Sequence, residues 1–146
     1  MLAKNERFIH PNVDRWIKSN VRRKLANTYR EELQLFLQEW LGPIVNYDFQ
    51  GLKAGYPYLH FPFNDSLYLN DLRLGLAFEI VGDTIVEGKA TQEQYNKFLM
   101  RQNVLRIKGW QVVTFCKGNL EDEEHTKLFR KLLEKLYNNS YKLSAK

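Results

Sequence analysis

Between Leu72 and Ile80 an apolar residue occupies every second position (Leu72, Leu74, Leu76, Phe78, Ile80), and nothing else in the chain constrains its fold so tightly. A period of two is that of a strand with one face in a core, and it forces Asp71, Arg73, Glu79 and Val81 onto the other face. After the turn Gly82-Asp83, residues Ile85 to Ala90 read as a second strand, completing a hairpin. Thr91-Gln92-Glu93-Gln94 has capping-box spacing and opens a helix with Tyr95, Phe98, Leu99 and Leu105 inward and Gly109 as its left-handed C-cap. Trp110 to Cys116 forms the next strand. The strand, helix, strand unit from Thr84 to Cys116 is long enough for a right-handed crossover, which predicts parallel strands.

The flanks read as helical. Val13 to Leu25 places Trp16, Ile17, Val21 and Leu25 near one stripe, with Asn12 as N-cap. Thr28 and Glu31 have capping-box spacing before Leu33, Phe36, Leu37, Trp40 and Leu41, and Gly42-Pro43 stops that pattern. Residues 44 to 63 turn to Tyr- and Phe-rich segments that predict one or two strands. Glu121 to Tyr137 begins with four acids and carries Lys127, Arg130, Lys131 and Lys135 later, the order that suits a helix dipole. The expectation is an α/β sandwich with a mixed sheet. At 146 residues, with no repeat or linker, residues 1–146 are read as a single domain. The lone Cys116, set in an apolar run, is read as core. No signal-like or membrane-spanning apolar run is present, so a cytoplasmic chain with no membrane partner is expected.

Charge narrows the partner. The net charge is +5, and residues 1 to 30 carry eight Lys or Arg, Arg22, Arg23 and Lys24 among them, against Glu6 and Asp14. Such asymmetry suits a phosphate-rich partner, because each neutralised phosphate releases counterions. On the helix after Thr91, Lys97, Arg101 and Lys108 project within about 40° of one another at 100° per residue, a stripe able to track a phosphate backbone. Tyr56, Tyr58, Phe61 and Phe63 are at once candidates to stack on bases and ordinary core residues at strand spacing. His10, His60 and His125 lack metal-ligand spacing, and there is no Gly-rich phosphate loop, serine elbow or zinc motif.

The hairpin carries the candidate chemistry. With a three-residue loop, Gly82-Asp83-Thr84, Glu79 pairs with Glu87 and Ala77 with Lys89, so Asp71, Glu79, Glu87 and Lys89 share one face. A two-residue loop would instead set Glu87 beside Phe78 and part the carboxylates. Facing carboxylates require a compensating cation, and hard oxygen ligands suit Mg²⁺ or Mn²⁺. The chemistry implied is phosphodiester hydrolysis, with a lysine stabilising developing charge.

Asp71, fifteen intervening residues and then Glu87-Gly88-Lys89 resemble the D…(D/E)xK signature of PD-(D/E)XK nucleases, and the helix, glycine and apolar strand that follow are similar to the order in that family. The resemblance covers about the central third of the chain. It implies a restriction-endonuclease-like mixed sheet flanked by helices in three α/β/α layers, and a Mg²⁺- or Mn²⁺-dependent endonuclease acting on DNA, with RNA left open. By the same resemblance Asp71 and Glu87 bind metal, Glu79 supports them, Lys89 is the catalytic lysine, and Glu31 or Glu32 supplies a further acid. Asn70 stands where the family has proline. A rival alignment takes Glu79-Ile80-Val81-Gly82 as the ligand strand; Val81 then occupies the place of an acid or lysine, and the site is degenerate. That alternative implies a noncatalytic nucleic-acid-binding module on the same fold. Symmetric duplex cleavage by so small a domain would call for a homodimer.

Overall fold

The computed structural model describes residues 8–58 and 65–144, with side chains as far as Asn138. Phe61, Phe63 and His60 lie outside the described residues. Four strands form one mixed sheet in the order β1 (Leu52–Ala54), β2 (Ser66–Asp71), β3 (Leu76–Val81), β4 (Gln111–Phe115). The first three run antiparallel to their neighbours, and β4 pairs parallel with β3.

The parallel crossover is therefore present, but it springs from β3, and the hairpin lies one strand earlier than the periodicity predicts. Of the five alternating residues only Leu76, Phe78 and Ile80 belong to a strand. Leu72 is exposed and Leu74 half-buried in the β2–β3 turn, which Gly75 closes with φ of +61°. Glycine adopts that left-handed conformation without a Cβ penalty. Of residues 85–90, expected as a strand, Ile85 and Val86 instead belong to a short helix α5 (Asp83–Val86) and the rest follow it as turn and loop. The Gly82 carbonyl accepts from the Ile85 and Val86 N–H groups, and Gly88 reverses the chain at φ +70°. Local turn chemistry at Gly82-Asp83 outweighs the strand preference of Ile85 and Val86.

The N-terminal helices also divide differently. Helix α1 (Pro11–Asn20) is capped by His10, whose Nδ1 accepts from the Asn12 N–H, and Val21 and Arg22 are extended before α2 (Arg23–Thr28). Thr28 ends α2, its hydroxyl donating to the Lys24 carbonyl, so it caps nothing downstream. From α3 (Arg30–Leu35) the helix continues through a π-helical stretch (Phe36–Leu41) into α4 (Gly42–Val45), passing Gly42-Pro43 and ending at Asn46. Pro43 lacks the N–H a regular turn would use, and the wider π turn before it accommodates the loss. Helix α6 (Gln92–Ile107) keeps the expected Thr91/Gln94 capping box and the left-handed Gly109, φ +94°. Helices α7 (Lys117–Glu121) and α8 (Glu123–Ser144) follow β4.

The sheet packs helices on both faces. Leu67, Leu69, Leu76, Phe78, Ile80 and Phe115 join Leu33, Phe36, Trp40, Leu133 and Tyr137 in the larger core. Phe36 is its centre, 4.8 Å from Phe78 and 5.0 Å from Phe115 between ring centroids. Tyr68, Ala77, Leu105 and Trp110 form the smaller core under α6. Phe98 and Leu105 turn inward as expected, whereas Tyr95 and Leu99 are exposed. Cys116 is half-buried rather than core. No helix among the described residues is long and apolar enough to cross a membrane. Phe36→Ala removes the ring between strands and π turn and should lower unfolding stability by about 3–5 kcal/mol, read from urea denaturation.

Candidate functional site

The structure does not bring the hairpin constellation together. Asp71 pairs with Leu76 at the start of β3, whereas Glu87 and Lys89 follow α5 beyond Val81 at its end. The length of β3 alone separates them by roughly 17 Å at 3.3 Å per residue. Asp71 is buried and occupied: Arg73 grips it at 3.0 Å, and the Tyr137 hydroxyl donates to it at 3.4 Å. Glu87 and Lys89 are exposed and pair with each other at 2.7 Å, an interaction that raises the lysine pKa. Glu79 faces Tyr68 and Thr114 across the ladder, not Glu87. The shared face expected for Asp71, Glu79, Glu87 and Lys89 is thus corrected: the segment after Val81 is a helix and a turn, in which side chains do not alternate as in a strand.

Polar side chains converge instead around Glu79. Its position on β3 puts it on the face covered by α6, and it is wholly buried. Gln102 of α6 donates to Glu79 Oε1 at 2.5 Å, and the Thr114 hydroxyl of β4 donates to the same oxygen at 3.2 Å. Burial and then the adjacent Glu79 carboxylate push the Tyr68 hydroxyl pKa upward. At the preceding position on α6, Arg101 is buried and pairs at 2.5 Å with Asp65, just before β2. At the same end of the sheet Tyr29 lies against Gly82, and its pKa is raised by burial first and then by Asp65, Glu32, Asp83 and Glu79. Glu32 is half-buried, and desolvation raises its pKa; Glu31 is exposed and pairs with Lys117.

The groups around Glu79 compete with a divalent cation, although Glu79 Oε2 is itself buried with no hydrogen-bond partner among the described residues. Glu79 Oε1 already accepts two hydrogen bonds, Asp65 is held by a guanidinium, and Val81, the next β3 residue on the Glu79 face, is apolar and pairs with Ser66. Among the described residues no group of three His, Cys, Asp or Glu side chains is arranged to hold a metal ion.

The basic residues sort into two kinds. Arg22 is exposed at the extended corner between α1 and α2 and Arg23 and Lys24 on the first turn of α2, with Lys18 and Arg15 exposed on α1. The α6 stripe is not uniform: Arg101 faces inward, Lys97 pairs with Glu93 at 3.2 Å, and Lys108 lies 4.8 Å over the Tyr58 ring. Asp65, Tyr68, Gln102 and Thr114 were absent from the sequence reading, because their pairing depends on contacts between distant segments; only the α6 helical phase placed Gln102 beside Arg101.

Comparison with protein-family models, curated proteins and solved structures finds no match to this chain.

Two outcomes test this electrostatic arrangement. Arg101→Met leaves Asp65 without its partner and should lower stability by about 3 kcal/mol, while Asp65→Asn combined with it restores much of the loss in urea titrations. Glu32, with its folded pKa raised, favours its neutral form in the fold; its contribution is present below the unfolded pKa and lost as pH rises through the folded one. The urea midpoint of Glu32→Gln should therefore match wild type at acid pH, below the unfolded pKa, and exceed it once pH has risen through the folded pKa, the gain then levelling off.

Proposed function

We propose that this chain is a noncatalytic nucleic-acid-binding module, built on an α/β sheet of the restriction-endonuclease-like kind with a degenerate metal site. The observation that carries the reading is the state of Glu79: the carboxylate on β3 that the rival alignment takes as ligand is sealed under α6 and hydrogen-bonded to Gln102 and Thr114. Val81 and Ser66, paired beside it, offer no second carboxylate. Arg101, which would serve a phosphate from an exposed stripe, is consumed by Asp65.

The sheet order supports the architectural half of the proposal. A three-stranded antiparallel meander followed by a helix and a parallel fourth strand is an arrangement compatible with the resemblance read from the central third of the chain. The binding half rests on the corner at Arg22, Arg23 and Lys24. All three are exposed, and among the described residues no carboxylate pairs with them. Unpaired cations at the start of α2 approach phosphates without first breaking an ion pair, and the resulting affinity falls with salt.

Fluorescence anisotropy with labelled duplex and single-stranded DNA and RNA oligonucleotides, across a salt series, measures that affinity. Binding should be salt-sensitive, and changing Arg22, Arg23 and Lys24 together to Gln should reduce the slope of log K against log salt by about 2–3. Incubation of plasmid with Mg²⁺ or Mn²⁺ should leave it intact. Metal-dependent nicking abolished by Glu79→Ala, or by Glu87→Ala and Lys89→Ala, would establish the nuclease in its place; absence of any salt-sensitive binding would overturn the module.

A further inference from the structure

Between Asp14 and Glu31 lie sixteen residues without an acid, and six of them are Arg or Lys: Arg15, Lys18, Arg22, Arg23, Lys24 and Arg30. Most of this stretch folds into α1 and α2, joined by Val21 and Arg22. Val21 before α2 and Tyr29 after it are buried, and they pin the short helix at both ends. Between these anchors α2 itself buries no residue, and Leu25 and Ala26 rest half-buried against the larger core. A six-residue helix is thereby held as a ridge at the surface.

The phase of α2 decides what the ridge presents. With Arg23 as zero and 100° per residue, Asn27 lies at about 40°, Lys24 at about 100° and Thr28 at about 140°, and all four are exposed. The other two positions, Leu25 and Ala26, fall behind, at about 200° and 300°. Asn27 is therefore flanked by a cation on each side. Its amide makes no side-chain hydrogen bond among the described residues, whereas the Thr28 hydroxyl is turned back onto the Lys24 carbonyl at 3.0 Å. On α1, Arg15 is steadied by donating to Asn12 Oδ1 at 2.8 Å, and the acid Asp14 accepts from Gln34 of α3 at 3.4 Å.

The surroundings of the ridge select one form of nucleic acid. Single-strand binders stack bases on aromatic rings, and the two rings within this stretch, Trp16 and Tyr29, are buried. Phe8 is exposed but stands beyond the far end of α1, about 15 Å from α2 at 1.5 Å per residue. Duplex RNA has a major groove too deep and narrow for side chains to read. The major groove of B-form DNA, about 12 Å wide, admits a helix. A ridge with an amide along its middle and cations on its sides matches that groove, which has base edges on its floor and a phosphate strand along each wall.

Resting on the nucleic-acid reading above, we propose that the ligand is B-form duplex DNA and that α2 enters its major groove with Asn27 at the base edges. Arg23 and Lys24 meet the phosphates on either side. Arg22, Arg15 and Lys18 extend the contact along one strand, so α1 crosses the backbone as the leading helix of a helix-turn-helix reader does. The Asn27 amide accepts from the adenine N6 amino group and donates to N7. Asn27 thus supplies sequence preference, and the cations supply affinity that is blind to sequence.

Anisotropy of the whole chain on oligonucleotides of equal length tests the groove and the base separately. At one salt concentration duplex DNA should bind about tenfold or more tightly than single-stranded DNA or duplex RNA. Glucosylated 5-hydroxymethylcytosine, whose sugar fills the major groove, should weaken binding to the duplex, and netropsin in the minor groove should not. Sequences selected from a random duplex pool should share an adenine. On them Asn27→Ala should lose about tenfold in affinity with the salt slope unchanged. Arg23→Gln should lower the slope by about one on every sequence, and Lys127→Gln, exposed on α8, should change neither. Salt-sensitive binding that treats single strands, duplex RNA or sugar-filled duplex like plain duplex DNA overturns this inference and leaves the binding module standing. Selection without a shared adenine, or affinity unchanged in Asn27→Ala, overturns the role of Asn27. Absence of salt-sensitive binding to all of them overturns both readings. Should Asn27→Ala unfold, the sugar-filled duplex and the selection decide, since neither alters the protein.

Discussion

A carboxylate in the middle of β3 governs the arrangement around it. Every residue of β3 is buried, so Glu79 has no route to water, and an ionisable group so placed demands donors from whatever packs against it. Those donors come from two elements distant in sequence, Gln102 on α6 and Thr114 on β4. Pairing Glu79 Oε1 therefore fixes the phase of α6 and the register of β4 together: rotating the helix by one residue, or slipping the strand by one, would take both donors from that oxygen, while Oε2 is buried with no hydrogen-bond partner among the described residues. The parallel crossover is held by this polar demand as much as by Leu105 and Trp110 beneath the helix.

The same demand explains Arg101. Once Gln102 is committed to Glu79, the preceding residue projects about 100° away, towards β2, where Asp65 meets it. An arginine that looks like part of an exposed basic stripe on a helical wheel is thereby drawn inside. The pairing neutralises an acid at the end of the sheet where Tyr29, Glu32 and Asp83 also gather, and it limits the negative potential there.

What the sequence made legible follows from the range of each interaction. The Thr91 capping box and Gly109 depend on residues close together and appear where they were read; the parallel crossover into β4 is present but starts from β3 rather than from residues 85–90. The period-two run misled because Leu72 and Leu74 continue the alternation of β3 through a turn that Gly75 closes. Ile85 and Val86 have strand propensity but lie where the Gly82 carbonyl organises a helical turn, so the hairpin geometry that grouped Asp71, Glu79, Glu87 and Lys89 had no strand to stand on. Glu79 was visible as a candidate acid. Its partners were not, since their meeting is a consequence of the fold rather than a spacing in the chain.

Helix α6 shows why that blindness extends to surfaces. Its buried stripe is narrow and includes Arg101 and Gln102 alongside Phe98 and Leu105, because the sheet face beneath it contains Glu79 and Thr114 as well as Ala77 and Val112. Two of the inward places that an apolar pattern would assign to Tyr95 and Leu99 are taken by polar residues, and those two side chains turn outward. Burying a polar network on one face of a helix displaces apolar residues to its flank. On that flank Tyr95 and Leu99 stand beside the exposed Arg106, so the demand set by one buried carboxylate reaches from the interior of the sheet to the surface of the helix that covers it.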